Sequence, residues 1–323
     1  MNVIYESLVR FFANGVDGDM YKELKPVLIK ESIFPNHKDL IDKGAIVNFQ
    51  KNLQMISAMP NGIHLALAMM VEVNVSGGIL LAGNESKTKY LLDRFGRDSS
   101  ILATGVSEPG WEGSLRKLKS SIDSDFFLNG TKSFITNGAS ANSVFWVVPV
   151  GDTFPVYCIN KEQHNDSLSM EVIYTTFVKN VNHLKMTAVD LRLSQSDMVL
   201  NDYSNLGVEL RLKEMFGLIS ILLGFTQSLP FFMTDTLFLR VWEELKQFRD
   251  NVSQNLTHNY YLQVLEEAFP FPTNALLQRL CEIYEITEMK DLTKVNPDFG
   301  IFLWDDHLTR YLTQKKMRNI RKT

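Results

Sequence analysis

Apolar positions return every three or four residues at Leu8, Phe11 and Phe12, again at Tyr21, Leu24 and Leu28, and most densely from Ile63 to Phe95. That spacing places them on one face of a helix, so 1–100 reads as a helical unit. Turn residues interrupt it at Asn14-Gly15, Pro35-Asn36 and Pro60-Asn61-Gly62, where glycine, proline and asparagine favour backbone conformations that helices do not use. From Ile101 the pattern changes. VFWVVPV (144–150), FPVYCI (154–159), LSMEVIYTTFV (168–178) and AVDLRL (188–193) are β-branched and aromatic runs cut by GDT, NKEQHND and SQSD, the signature of strands joined by turns. After Asn205 helical spacing returns in LGVELRLKEMFGLISILLGF and FFMTDTLFLRVWEELKQF. Both have continuous apolar faces, suited to packing on each other and on another subunit. The predicted class is α+β, with an N-terminal helical domain (1–100), a middle β domain (101–205) and a short C-terminal helical domain (206–323).

Composition narrows the function classes. The most apolar window, Ile63 to Gly83, contains His64, Glu72, Asn74 and Gly77-Gly78, and predicts two buried helices rather than a membrane span. A net charge of −4 favours neither a nucleic-acid groove nor an anionic membrane surface as partner. The basic stretch KKMRNIRK, Lys315 to Lys322, reads as a solvated chain end. Two cysteines, Cys158 and Cys281, exclude a disulfide framework and point to a reducing compartment, so the cytoplasm is the expected location. The start MNVIYESLVRFF lacks the basic and long apolar regions of a signal peptide. No metal is expected: the six histidines are scattered, with no HExxH and no CxxC.

The segment richest in chemistry is GVSEPGWEGS, Gly105 to Ser114. It fits a GxSxG nucleophile elbow at four of five positions, failing at Pro109, where the elbow needs close backbone approach. A phosphate loop needs GxxxxGK[ST], but Gly113 is followed by Ser114 and Leu115, and no GxGxxG occurs. A plain connecting loop remains open on this segment alone. The next segment changes the weighting. FFLNGTKSFITNGASAN, Phe126 to Asn142, predicts a turn at Asn129-Gly130, a short strand from Ser133 to Thr136 and a second turn at Asn137-Gly138.

Together the two segments resemble the acyl-CoA dehydrogenase family, whose middle domain carries TEPxxGSD followed by LNGxKxxITNGxxA. The resemblance is strong over 101–205 and weaker over 206–290, and it implies an antiparallel β-barrel for the middle domain. It also implies FAD. Val106 and Ser107 stand where a backbone N–H and a hydroxyl donate to the flavin's pyrimidine edge, as an oxyanion hole would. Gly113 and Ser114 match the GS near the flavin phosphates and the thioester's carrier arm, with Leu115 replacing the usual aspartate. Phe134 takes the position of an aromatic ring covering the flavin, and Thr136 that of a hydroxyl at its N5 edge.

The family's reaction needs a carboxylate to remove the α-proton of an acyl thioester while the β-hydride leaves to the flavin. Glu214, ten residues before Gly224, and Glu285 in EIYEITEM match the two alternative positions of that base. Glu214 is the first choice. Arg240 corresponds to the arginine that binds the flavin pyrophosphate across a subunit interface, with Glu243 and Glu244 replacing the FG that follows. QVLEEAF, Gln263 to Phe269, resembles a QxxGGxG segment that offers backbone amides to the adenine diphosphate, with Glu266 and Glu267 in place of its glycines. Carboxylates there repel a diphosphate. The expected partners are acyl-CoA or an acyl-carrier protein as substrate and a second copy of the chain, as homodimer or homotetramer. The alternative is a catalytically inactive relative kept as a binding or assembly subunit beside an active one.

Overall fold

The protein was analysed as a computed structural model in which residues 2–13, 19–36, 38–303 and Leu312 are described. The Asn14-Gly15 break, His37, His307 and the basic stretch 315–322 lie outside the described residues.

Six helices come first: α1 (Asn2–Ala13), α2 (Met20–Lys30), α3 (Lys43–Ser57), α4 (Gly62–Val71), α5 (Gly77–Ala82) and α6 (Glu85–Arg94). Short acceptors start them. Asp19 accepts from the Lys22 amide at 3.2 Å, Asp42 from Ala45 at 2.7 Å and Asn84 from Ser86 at 3.1 Å, satisfying amides that a helix leaves unpaired. The apolar window differs from expectation. A π-turn over Glu72–Ser76 joins α4 to α5, so 62–82 is one rod instead of two helices. Gly77 and Gly78 do not break it because they are contact points: a Cβ on Gly78 would lie 2.3 Å from Leu210 Cδ2. The rod is long and apolar enough to cross a membrane, yet 83% of its apolar window is buried inside the protein.

Glu72 explains why a carboxylate interrupts that window. It accepts from Tyr21 Oη at 2.6 Å, Lys25 Nζ at 2.8 Å and the Leu102 amide at 2.9 Å, and Lys25 also donates to the Ser100 carbonyl. All three side chains are buried, and burial, reinforced by Glu72, pushes the Tyr21 phenol well up so that it stays a donor. The cluster pins α2 and the rod to the chain entering the β region.

Among the described residues eight strands follow: β1 (Leu102–Gly105), β2 (Ser121–Ile122), β3 (Phe127–Thr136), β4 (Ser143–Val147), β5 (Val156–Asn160), β6 (Leu168–Ile173), β7 (His183–Arg192) and β8 (Met198–Leu200). They form two four-stranded sheets, β1-β4-β5-β8 and β2-β3-β7-β6. All pairings are antiparallel except β1 with β4, which run parallel. β1 packs on β3 across the sheets. The predicted turn at Asn129-Gly130 is instead a register shift inside the ten-residue β3. Glycine is needed there for close approach, since a Cβ would sit 2.2 Å from Ser120 Oγ. Asn137-Gly138 is a turn, with Asn137 left-handed at φ 62.

Among the described residues, α7 (Ser204–Gln227), α8 (Thr236–Asn255), α9 (Tyr261–Ala268), α10 (Thr273–Ile283) and α11 (Leu292–Val295) follow. From Leu210 onward α7 is buried on nearly every side, packed against α3, α4, α8 and α9, as a helix apolar all round must be. A clasp joins the three regions: Asp298 accepts from the Val178 amide at 2.6 Å and pairs with His64 Nε2 at 3.2 Å, while Asn180 bonds His64 Nδ1 at 2.8 Å.

Candidate functional site

The two sequence motifs meet where β1 ends against the middle of β3. The Ser133 amide donates to the Ser107 carbonyl at 2.8 Å, and Ser107 Oγ donates to the Phe134 carbonyl at 3.3 Å. Beneath them lies a buried ion pair. Lys132 Nζ donates to Glu108 Oε1 at 2.6 Å, the Val147 carbonyl at 2.6 Å and the Val106 carbonyl at 3.2 Å. Glu108 also accepts from the Ser120 amide at 3.0 Å, Ser120 Oγ at 2.5 Å and the Lys119 amide at 2.5 Å. Burial pushes the Glu108 carboxyl up, but Lys132 and the Ser120 and Lys119 donors outweigh it and hold the carboxyl below its ordinary value. Burial lowers Lys132 to about 8, against the opposing pull of Glu108. The fit of Lys132 under β1 is close: a Cβ on Gly105 would lie 2.9 Å from its Cγ.

Thr136 stands directly opposite His183 in register. The Phe134 ring stacks on that imidazole, with centroids 4.2 Å apart and planes at 25°. Phe134 is 38% exposed and His183 only 2%. Neither ring nitrogen of His183 has a hydrogen-bond partner, nor has Trp111 Nε1 or Asn137 Oδ1. Burial lowers His183 to about 4, so the imidazole is neutral at pH 7. These are four of the eight orphaned buried polar side-chain atoms among the described residues. Two of them lie on the motif segments, on Trp111 and Asn137, and two on His183 opposite Thr136, and they mark a place that lacks its polar partner, because folded proteins leave few such atoms unpaired. Between the segments, Gly110, Glu112 and Gly113 are left-handed at φ 78, 48 and 75, and Gly113 is exposed while Ser114 is half-buried. A planar heterocycle with hydrogen-bonding edges fits this end of the site. Nothing in the chain singled out His183, which no motif touches, or Glu108 as the partner of Lys132.

The remaining predicted residues lie on the helices. Glu214 on α7 has 24% of its side chain exposed and a 3.4 Å contact with Arg211. Burial first, and then the Glu214 charge, push the Tyr203 phenol up, which places Glu214 near that ring. The neighbouring Lys213 is buried, paired with Glu209 at 2.5 Å and set over the Tyr261 ring at 4.2 Å. Beside it, between α3, the rod, α7 and α9, is a cavity of about 30 Å³ lined by Phe49, Asn74, Leu81, Lys213 and Tyr261. That is water-sized, where ligand pockets run to roughly 300–1,000 Å³.

Glu285 is exposed and left-handed at φ 54, just past α10. The Ile286 amide reaches back to the Cys281 carbonyl at 2.8 Å and closes the helix. Glu285 follows α10, which packs on α8, while Glu214 lies on α7. The Arg240 side chain is 76% exposed and pairs with Glu244 at 3.1 Å on α8. Gln263 to Ala268 is helical within α9, with Gln263 Nε2 bonded to Glu267 Oε1 at 2.9 Å. The amides of Glu266 and Glu267 therefore serve helix bonds and cannot cradle a diphosphate. The ring end of a dinucleotide fits this chain, and QVLEEAF, being helical, offers its diphosphate no free backbone amides.

No family profile and no curated protein matches the chain. Solved structures do. A glutaryl-coenzyme A dehydrogenase in complex with glutaryl-CoA is similar at TM-score 0.67 and 10% identity, over 93% of this chain and 86% of that one. A glutaryl-CoA dehydrogenase from Mycobacterium smegmatis in complex with FADH2 is similar at 0.62 and 14%, over 87% and 82%. A prolyl acyl carrier protein oxidase is similar at 0.59 and 15%, over 85% and 86%. At such identities the likeness is one of fold: the chain has the acyl-CoA dehydrogenase-like fold.

Proposed function

We propose that this chain, an acyl-CoA dehydrogenase-like fold with an open aromatic and hydroxyl-bearing face, is a flavin-dependent oxidoreductase that introduces an α,β double bond into an acyl thioester on CoA or a carrier protein. The observation that carries it is the cluster of Ser107, Phe134 and Thr136 beside the orphaned Asn137 and His183 atoms, with Trp111 Nε1 orphaned in the loop that follows Ser107. Val106 and Ser107 would hold the pyrimidine edge, Phe134 the ring face and Thr136 the N5 edge. The exposed loop at Gly113 and Ser114 would face the phosphates. Bound FAD supplies the acceptor for the β-hydride. The chain supplies the base: the Glu214 carboxylate, held by a single long contact to Arg211, takes the α-proton as the double bond forms. Glu285, exposed at the end of α10, is the second candidate for that role. Arg240 points to solvent, an orientation suited to a diphosphate on a second copy.

The specific observations that favour the alternative, an inactive subunit in a larger assembly, are the two carboxylates on α9 and the 30 Å³ cavity. Visible absorbance separates the two. Purified full-length protein, incubated with FAD, should carry a flavin band that bleaches on adding an acyl-CoA. Glu214→Gln should keep the band and lose the bleaching. Protein that stays colourless overturns the proposal and leaves the alternative, which expects a co-purifying active relative.

A further inference from the structure

The stack of Phe134 on His183 has a polar cost that an apolar stack would lack. A phenylalanine at position 183 would give Phe134 the same flat neighbour, and aromatic pairs prefer such offset contacts. Histidine instead brings two nitrogens into a site where they meet no donor or acceptor, with 2% of the residue exposed, and unmet buried polar atoms destabilise the fold. The position is not a remote corner of the core. His183 opposes Thr136 in the β3–β7 register and lies under the most exposed ring of the motif. Two further orphaned atoms belong to its surroundings in sequence: Asn137 follows Thr136, and Trp111 lies in the loop after Ser107.

We infer that His183 is a ligand-recognition residue covered by Phe134: when the Phe134 ring swings off the imidazole and onto the face of the bound heterocycle, the uncovered imidazole bonds the heterocycle's polar edge. The inference rests on the flavin assignment above. A neutral imidazole presents one donor and one acceptor, and the pyrimidine edge of a flavin alternates carbonyl and N–H groups, so either tautomer finds a complement. Phe134 is able to act as the cover because more than a third of it is already in solvent while Ile135 beside it is fully buried. The orphaned nitrogens are then a binding asset held ready in the ligand-free fold, and their stability cost is relieved on binding.

The test uses the full-length protein and FAD itself, with binding followed by quenching of flavin fluorescence and by the absorption maximum of the bound flavin. His183→Phe should raise the midpoint of thermal unfolding of the ligand-free protein, weaken FAD roughly tenfold or more, and shift the bound-flavin maximum. His183→Asn, which restores a donor and an acceptor, should recover part of the affinity. Unchanged affinity in His183→Phe, with wild-type binding intact, overturns this inference and leaves the flavin assignment standing. A lowered unfolding midpoint in His183→Phe also overturns it, since the imidazole would then be a structural element. Absence of FAD binding by the wild-type chain overturns both.

Discussion

Breaking the buried Glu108–Lys132 pair is the sharpest test of how the two motifs are held together. Lys132→Met removes the cation and leaves a carboxylate with 2% of its side chain exposed. Glu108→Gln leaves an ammonium fully out of water with only neutral acceptors, the Val106 and Val147 carbonyls and the new amide oxygen. Each single change should cost about 3–5 kcal/mol, the usual penalty for stranding one member of a buried pair. Lys132→Met should fall at the low end, because Glu108 keeps its Lys119 and Ser120 donors. The double variant replaces both charges by neutral groups of similar volume and should lie within about 2 kcal/mol of wild type. The pair also has a pH signature. Lys132 titrates at about 8 in the fold and at about 10.4 in an unfolded chain. Between these values the unfolded state holds a proton that the native state has lost, so this group makes stability rise with pH across that window, by about 3 kcal/mol. Glu108 acts in the acid range. Its folded value is depressed, so its contribution is present above the ordinary carboxylate value and disappears as pH falls through the lower one. Denaturant unfolding of wild type and the three variants at pH 7 and pH 10 measures the pair energy and the alkaline gain. Singles that cost under about 1 kcal/mol, a double variant as weak as the sum of the singles, or an alkaline gain that persists in Lys132→Met would refute the reasoning.

Packing and burial set three further expectations. Gly224→Ala should lower stability by about 3 kcal/mol, because its Cβ would lie 1.9 Å from the Gln54 carbonyl of α3. Gly110→Ala, left-handed at φ +78 with open space around it, should cost only about 1 kcal/mol; equal effects in a denaturant comparison would contradict the packing argument. Cys158, pushed by burial up to about 12, should resist thiol reagents at pH 8 in the folded protein and react on unfolding. Cys158 is half-buried by exposure, and rapid native labelling in a Cys281→Ala background would count against the raised thiol. Asp298 is pushed up by burial but held low overall by His64 and the Val178 amide, so its stabilising effect is lost as pH falls through that depressed value. Asp298→Asn should therefore show a shallower acid loss than wild type, and an unchanged acid profile would argue against the clasp.

Much of the architecture could be read from the chain because its signals are local. Helical spacing, strand runs and the Asn137-Gly138 turn all depend on neighbours within a few residues, and they appear where expected. The misplaced features are those in which a local signal met a tertiary contact. Asn129-Gly130 has the composition of a hairpin turn, yet the pressure of Ser120 makes it a strand irregularity. Gly77-Gly78 looks like a helix break, yet Leu210 needs the space beside it. Glu285 matched a motif by order of residues, and only the fold shows that it ends α10, with a left-handed backbone beside the Ile286 bond to Cys281.

The sequence by itself determined the α, β, α order of elements and placed Ser107, Phe134 and Thr136 in one pair of linked motifs, because periodicity and turn chemistry are written over short spans. Only the tertiary structure decided that Lys132 is spent on Glu108, that Phe134 covers a histidine on another strand, that QVLEEAF is helical, and that the space beside Lys213 shrinks to the size of a water. Those outcomes depend on which surfaces meet and how completely water is excluded between them. Charge, hydrogen bonding and cavity volume all take their values from that exclusion, and no local pattern along the chain encodes it.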